Sequence, residues 1–257
     1  HKIMAITIKS EREIELMAEA GKILERVHNE LEKALRPGMS TKDIDTLGEE
    51  IIRSYGCIPS FLNYNGYPAS ICVSVNQEVV HGIPDKHRII QEGDIVSLDA
   101  GVIYKGYHSD AARTYAVGEA SEEAKKLIQV TKECFFEGIK FAKAGNHLFD
   151  ISGAIGRYAE ERGYGVVRDL CGHGIGTALH EAPEIPNYEV GRKGVRLRPG
   201  MTLAIEPMIN IGTYEVDWLD DDWTVVTRDG SLSAHYENTI LITEGEPRIL
   251  SLTCENE

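Results

Sequence analysis

The apolar positions of this chain change period in a fixed order, and the order repeats. From Ser10 to Leu35, Ile14, Met17, Leu24, Val27, Leu31 and Leu35 fall at helical spacing behind the capping-box pair Ser10 and Glu13, and Pro37-Gly38 closes the segment. The spacing predicts a long amphipathic helix there. A second is predicted over Thr41–Tyr55, where Ile44, Leu47, Ile51 and Ile52 share a face and Gly56 ends the run. Beyond Gly56 the period falls to two. Ile71, Val73 and Val75 alternate with Cys72, Ser74 and Asn76 over Ala69–Asn76, and Asp94–Tyr104 with Tyr107–Val117 predict a hairpin turning at Lys105-Gly106.

Helical spacing then returns over Ser121–Ala144 and His147–Gly163, with Leu127, Val130, Cys134, Phe141, Ile151, Ile155 and Tyr158 on the inner faces. Four strand-like stretches follow: Val166–Leu170, Met201–Met208, Asp222–Thr227 and Ser233–Thr243, the last two joined by a turn at Asp229-Gly230. Two helices and then strands, twice over, predict an α+β fold of pseudo-twofold architecture with a central antiparallel sheet. This expectation rests on element order, because no sequence-level repeat is evident. Nothing low-complexity or linker-like interrupts the chain, so residues 4–257 are expected to form one domain, with His1-Lys2-Ile3 a remnant ahead of a natural start at Met4.

Composition removes several functions. With 257 residues, 42% hydrophobic and 26% charged, the chain is ordinary globular material. A formal charge of -14, with 27 scattered basic residues, argues against a nucleic-acid footprint, which needs clustered Lys and Arg. No apolar run approaches the roughly 20 residues of a membrane span, and no signal-peptide pattern opens the chain, so a cytoplasmic protein is expected. The five cysteines, Cys57, Cys72, Cys134, Cys171 and Cys254, are odd in number, dispersed and without a CxxC pair, which reads as reduced thiols.

The candidate chemistry lies in five residues set in apolar or glycine-rich strings. Asp99 sits in SLDAG, Asp110 in YHSDAARTY, His173 in CGHGIG, Glu206 in LAIEPM and Glu237 in SAHYENTILIT. The predicted hairpin places Asp99 and Asp110 roughly opposite, as neighbours on one face, where like charges repel. Taken alone, such a pair reads as two solvated carboxylates, but the strand Ile95–Ile103 is too apolar to be comfortably exposed. Either Glu, taken alone, reads as an edge-strand charge. Two Asp and two Glu on strands that would share a sheet, with one imidazole between glycines, point instead to a pair of divalent metal ions and to a hydrolase.

In that order Asp99, Asp110, His173, Glu206 and Glu237 resemble the ligand set of the methionine aminopeptidases, metallopeptidases of the pita-bread fold. The strings NYNGYPASICVSVNQEVVHGIP, CGHGIG, LRPGMTLAIEPM and SLSAHYENTILIT are similar to the type I branch, and the likeness runs from Ile6 to about Leu252. The short interval between Glu206 and Glu237 leaves no room for the helical insertion of type II enzymes, no zinc-finger-like extension is evident before residue 10, and the large additional N-terminal domain of prolidases and aminopeptidases P is not expected. The resemblance implies a pita-bread domain whose sheet is covered by two pairs of helices. It implies that Asp99 chelates one metal, that Asp110 and Glu237 bridge both, and that His173 with Glu206 complete the coordination of the second ion. The ions would be Co, Mn, Fe(II) or Zn, among which ligand type does not choose. A water bridging two Lewis acids about 3.5–4 Å apart would attack the scissile carbonyl, with Glu206 as base or proton shuttle.

By the same resemblance His81 and His180 would hydrogen-bond the scissile amide and the oxyanion, although each by itself reads as a polar loop residue. Tyr64, Tyr67, Cys72, Trp223 and Phe61 would form the methionine pocket, although aromatics of this kind are usually core. Leu179 stands where some members carry an aromatic, which bears on the side chains accepted beside the methionine. His87, His108, His147 and His235 read as structural or surface, although His108 and His235 sit close enough to the ligands to support them from behind.

The expected activity is removal of an initiator methionine from nascent chains when the second residue is small. Peptides are the expected partners; a transient ribosome contact follows from substrate timing, and nothing demands more than a monomer. A rival within enzymes is an exopeptidase that releases residues before proline. A rival from another class is a non-catalytic relative that binds peptides or proteins, against which stands the complete set of five ligands.

Overall fold

Two capping boxes set the first helix pair. In the computed structural model, which describes residues 5–253, Ser10 accepts the Glu13 amide at 3.2 Å while the Glu13 carboxylate accepts the Ser10 amide at 3.0 Å. From that cap α1 runs over Glu11–Ala34, and Ser40 with Asp43 repeats the exchange at the start of α2, Thr41–Ser54. The remnant expected at residues 1–3 and Cys254 lie outside the described residues.

The first-half strands are β1 (Ile58–Pro59), β2 (Ile71–Val75), β3 (Glu78–Val80), β4 (Ile95–Tyr104) and β5 (Tyr107–Ala116). The second half opens with α3 (Glu122–Ile139) and α4 (Leu148–Glu161). Its strands are β6 (Gly165–Val166), β7 (Gly172–Gly174), β8 (Glu181–Ile185), β9 (Thr202–Ile205) and β10 (Met208–Asn210), then β11 (Val216–Trp218), β12 (Val225–Thr227), β13 (Ser233–His235), β14 (Asn238–Leu241) and β15 (Arg248–Ile249). Each helix pair covers mainly strands of its own half: α1 and α2 lie on β2, β4 and β5, and α3 and α4 on β6, β8, β10 and β13, with α3 also reaching β5. Two cores result. One joins Leu24, Val27, Ile44, Ile71 and Leu98, and the other Leu127, Phe135, Ile151, Ile155 and Ile240, all buried. Truncating such a side chain typically costs about 2–5 kcal/mol, so each half of the sheet has a stiff backing.

The structure departs from the predicted elements where backbone hydrogen bonding changes. The third helix ends at Ile139 rather than Ala144, because the Phe141 and Ala142 amides bond three residues back, to Gly138 and Ile139, and Phe141 turns outward to 40% exposure. Of Val166–Leu170 only the first residue pairs, in β6. The stretch from Met201 divides into β9 and β10 at Glu206-Pro207, since proline has no amide to continue the ladder, and the last stretch divides into β13 and β14 around Tyr236-Glu237. Residues 221–224 form a turn in which Asp221 accepts the Trp223 and Thr224 amides at 2.9 and 2.8 Å. The turn at Asp229-Gly230 does not make a hairpin, because β12 pairs with β11 and β3 whereas β13 pairs with β10. The sheet is antiparallel throughout. Among the described residues it is cut into four sections, and the halves are joined by β3 pairing with β12 and by the isolated pair Ala112–Glu237.

Candidate active site

The hairpin that carries Asp99 and Asp110 is fixed by a two-residue turn, Lys105 at φ 47° and Gly106 at φ 88°, the left-handed pair that a tight hairpin requires. Tyr104 therefore faces Tyr107, Asp99 faces Ala112, and Asp110 faces Gly101. The two aspartates are diagonal neighbours on one face, as the predicted hairpin places them. Each sits near a partner from the second half, because Asp110 and Ala112 lie on the strand that meets Glu237.

Glu206 and Glu237 stand at strand breaks rather than within strands. Glu206 follows β9 and precedes Pro207, while Glu237, fully buried, lies between β13 and β14 with its backbone paired to Ala112. A carboxylate at a break can aim inward without displacing a core side chain. His173 is central in β7, held between β8 and β9. Its flanking glycines permit this: a Cβ on Gly172 would stand 2.3 Å from the Ala204 carbonyl oxygen, and one on Gly174 2.1 Å from that of Ala182. His173 Nδ1 lies 2.8 Å from the Gly174 carbonyl oxygen, an acceptor only, so Nδ1 carries a proton. Nε2 faces the carboxylates, 3.3 Å from Glu206, 3.4 Å from Asp110 and 3.9 Å from Glu237.

Four carboxylates this deep cannot all remain charged among themselves. Burial, and then repulsion from Asp110, push the Asp99 carboxyl well above the usual range, and burial with Asp110 and Glu206 does the same to Glu237. Burial also works against Asp110 and Glu206, but the His173 imidazole outweighs it and lowers both. His173 is itself pushed up to about 10: burial opposes its charge, and Asp110 and Glu206 overcome that. The site thus asks for positive charge. Asp99 Oδ1, Asp110 Oδ1, both Glu237 oxygens, His173 Nε2 and His235 Nε2 are buried without hydrogen-bond partners. These donors fall into two overlapping groups, Asp110, His173, Glu206 and Glu237 in one and Asp99, His235 and Glu237 in the other, with the atoms of each group within 4.8 Å of one another. Oxygen donors with imidazole nitrogen at this spacing fit divalent cations, and Glu237 belongs to both groups.

His235, left by sequence reasoning as structural or as a support for nearby ligands, stands among the donors themselves. It reads as a structural histidine, yet it is 1% exposed and its Nε2 lies 3.4 Å from Glu206 Oε1. Its place two residues before Glu237 was the one signal, since alternate residues share a face. His108 is buried with Nδ1 2.9 Å from Ser60 Oγ, whereas His87 is exposed and His147 caps α4.

Above the carboxylates opens a cavity of about 340 Å³. Phe61, Tyr64, Tyr67, Cys72, Leu179 and Trp223 form an apolar wall, and His81 and His180 stand between that wall and Asp99, Asp110, His173 and Glu206. Asn65, Val80, Asp169, Leu170, Cys171 and Met208 complete the lining and were not anticipated. The wall is braced from behind: the Tyr67 hydroxyl donates to the Gly82 carbonyl at 3.0 Å, and the Tyr67 and Trp223 rings meet edge-on with centroids 5.1 Å apart. His81 reaches the cavity through a left-handed backbone, φ 61°, which costs a non-glycine residue on the order of 1 kcal/mol. Gly82 follows it closely against β2, where a Cβ would stand 2.1 Å from the Val73 carbonyl oxygen. His180 packs its ring 4.2 Å from that of His173 and shares a 2.8 Å hydrogen bond with Tyr64. Burial lowers the pKa of His81, and burial with the neighbouring His173 takes His180 down to about 4, so both are neutral near pH 7. Burial and Asp99 keep the Cys72 thiol protonated, and burial pushes Cys171 up to about 11.

Comparison with known proteins gives a consistent picture. Residues 15–244 match metallopeptidase family M24. The methionine aminopeptidase of Clostridium acetobutylicum is 58% identical over 250 residues, which cover 97% of this chain and 100% of that one. Methionine aminopeptidase 1 of Bacillus subtilis is 52% identical over 239 residues, 93% of this chain and 96% of the relative. Among solved structures, methionine aminopeptidase from Thermotoga maritima superposes with a TM-score of 0.95 at 48% identity, covering 97% of this chain and 100% of that one. A Xaa-Pro dipeptidase from Bacillus anthracis follows the same fold less closely, with a TM-score of 0.76 at 28% identity over 96% of this chain but 62% of its own.

Proposed function

The chain belongs to metallopeptidase family M24, and on that premise we propose that it is a methionine aminopeptidase that removes an N-terminal methionine from polypeptides whose second residue is small. The observation that carries this reading is one cavity in which an apolar wall faces a cluster of buried oxygen and imidazole donors.

In this reading Asp99, Asp110, His173, Glu206 and Glu237 hold two divalent ions of the Mn, Fe(II), Co or Zn type. When bound, such ions lower the pKa of water and polarise a peptide carbonyl. The protein's own groups do the rest. The wall of Phe61, Tyr64, Tyr67, Cys72 and Trp223 receives the methionine side chain, and thioether-aromatic contacts contribute about 0.3–1.5 kcal/mol each. His81 and His180 donate hydrogen bonds to the scissile amide and to the oxyanion that forms from its carbonyl, which their neutral, burial-enforced state suits. Glu206 accepts a proton from the attacking water and returns it to the leaving nitrogen, with His235 Nε2 3.4 Å from its Oε1 to hold it in place.

Its partners are peptides. No described helix is long and apolar enough to cross a membrane. The finer parts of the proposal are a cytoplasmic monomer, one catalytic unit over residues 4–257, and transient contact with the ribosome.

Methionine release from a Met-Gly-led peptide by metal-stripped protein tests the reading, with Met-Lys-led and Ala-Pro-led controls and with Mn, Co, Fe(II) or Zn returned. Metal-restored cleavage confined to Met-Gly is expected. Cleavage of Ala-Pro alone would assign the chain to the proline-specific branch, and silence with every ion would leave a binding protein.

A further inference from the structure

The two halves of the molecule meet where β5 runs beside residues 235–239, and the central rung of that seam is ordinary backbone. The Ala112 amide donates to the Glu237 carbonyl at 3.2 Å and the Glu237 amide to that of Ala112 at 3.0 Å. The rungs on either side each have a threonine hydroxyl inserted. Thr239 Oγ1 accepts the Asp110 amide at 3.0 Å and donates to the Asp110 carbonyl at 2.8 Å. Thr114 Oγ1 accepts the His235 amide at 2.9 Å and donates to the His235 carbonyl at 2.8 Å.

One threonine comes from each half, and each grips a residue of the other half. A hydroxyl has a single proton, and Thr114 spends its own on the His235 carbonyl, so Ser97 Oγ, 2.8 Å from Thr114 Oγ1, is the donor in that contact. Arg113 closes the seam: its guanidinium donates to the Ala112 carbonyl at 2.9 Å, to the Glu237 carbonyl, and to Asn238 Oδ1 at 2.6 Å, above the Tyr236 ring. The residues so gripped are Asp110 and His235, with Glu237 between them on the central rung, and all three belong to the donor groups of the site.

We infer that Thr239 and Thr114 are positioning residues: their inserted hydroxyls set the spacing of the strands that carry Asp110, His235 and Glu237, and so the separation at which a pair of divalent ions is shared. The inference rests on the metallopeptidase reading. Valine has the shape of threonine but no hydroxyl, so at position 239 it leaves both backbone groups of Asp110 facing an apolar methyl.

The test compares T239V, T239S and T114V with the unaltered chain, measuring Mn(II) uptake by titration calorimetry and the electron paramagnetic resonance of the Mn(II)-loaded protein. T239V is expected to lose about 10–100-fold in Mn(II) affinity and to alter the coupling between the two ions, while T239S stays close to the unaltered chain. Circular dichroism checks the fold, and if T239V is unfolded T114V is read by the same criteria. Unchanged affinity and spectrum in the valine variants would overturn the inference, as would a T239S loss equal to that of T239V. Failure of the unaltered chain to take up Mn(II) would instead remove the reading beneath it.

Discussion

The carboxylate floor and the apolar wall of one cavity are built by opposite means. The floor residues stand on strands or at strand breaks backed by two stiff cores, and they are left with buried atoms that nothing in the protein satisfies. Apart from Cys72 on β2, the wall comes from connecting segments. Tyr64 and Tyr67 follow the left-handed Asn63, and Trp223 follows the left-handed Asp222, yet the wall tyrosines' hydroxyls have partners. The difference teaches a division of labour: groups that must hold concentrated charge at fixed spacing need the backbone ladder, whereas groups that choose a side chain need shape, which turns can supply.

Substitutions in the two regions should separate accordingly. Glu206→Gln is expected to lower kcat by about 10³-fold, the scale of a lost proton-transfer group, with the fold intact by circular dichroism. Near-normal turnover in that variant would take the proton-shuttle role away from Glu206. Trp223→Ala is expected to lower kcat/KM for a Met-Gly peptide by about 10–100-fold, through KM more than kcat and with metal content unchanged. Loss of bound metal in Trp223→Ala, measured by elemental analysis, would break the contrast between floor and wall.

The smallest effect lies behind the floor. His28 on α1 is buried, its Nε2 donates to the Ala111 carbonyl at 2.8 Å, and its Nδ1 has no partner. Burial, and then the nearby Arg113, take its pKa from the ordinary 6.5 down to about 3. The unfolded chain therefore binds a proton that the folded one refuses between those values. Stability should fall as pH drops from 6.5 towards 3, by about 1.4 kcal/mol per pH unit at most from this group. Urea unfolding of the metal-stripped chain should show that slope, and His28→Gln should flatten it; equal slopes would mean that the floor carboxylates govern the acid response alone.

Much of this was legible in the sequence because local chemistry and tertiary demand agree there. Ser10 with Glu13 marks the start of α1, and Lys105-Gly106 marks the hairpin tip, so the helices and the aspartate pair could be placed before any contact was known. The two-residue turn then fixes the register, and with it the diagonal pairing of Asp99 and Asp110. Strands β7 and β8 gave no signal: they are short, glycine- or proline-bearing and bulged, β7 being held by β9 and β8 by β7. The breaks at Glu206-Pro207 and Glu237 were hidden by apolar neighbours that read as continuous strand. For His235 the sequence offered only its closeness to Glu237, because the contact of its ring with Glu206 is made by the fold.

That seam also governs how the molecule could be taken apart. A cut in the connection between β5 and α3 would yield two fragments, each with its own helix pair and core, but Asp99 and Asp110 would leave with one while His173, Glu206 and Glu237 stayed with the other. Neither fragment would own a complete donor set. Complementation of the pieces and assembly of the site would then be a single event, so that the catalytic centre doubles as the fastener of the fold.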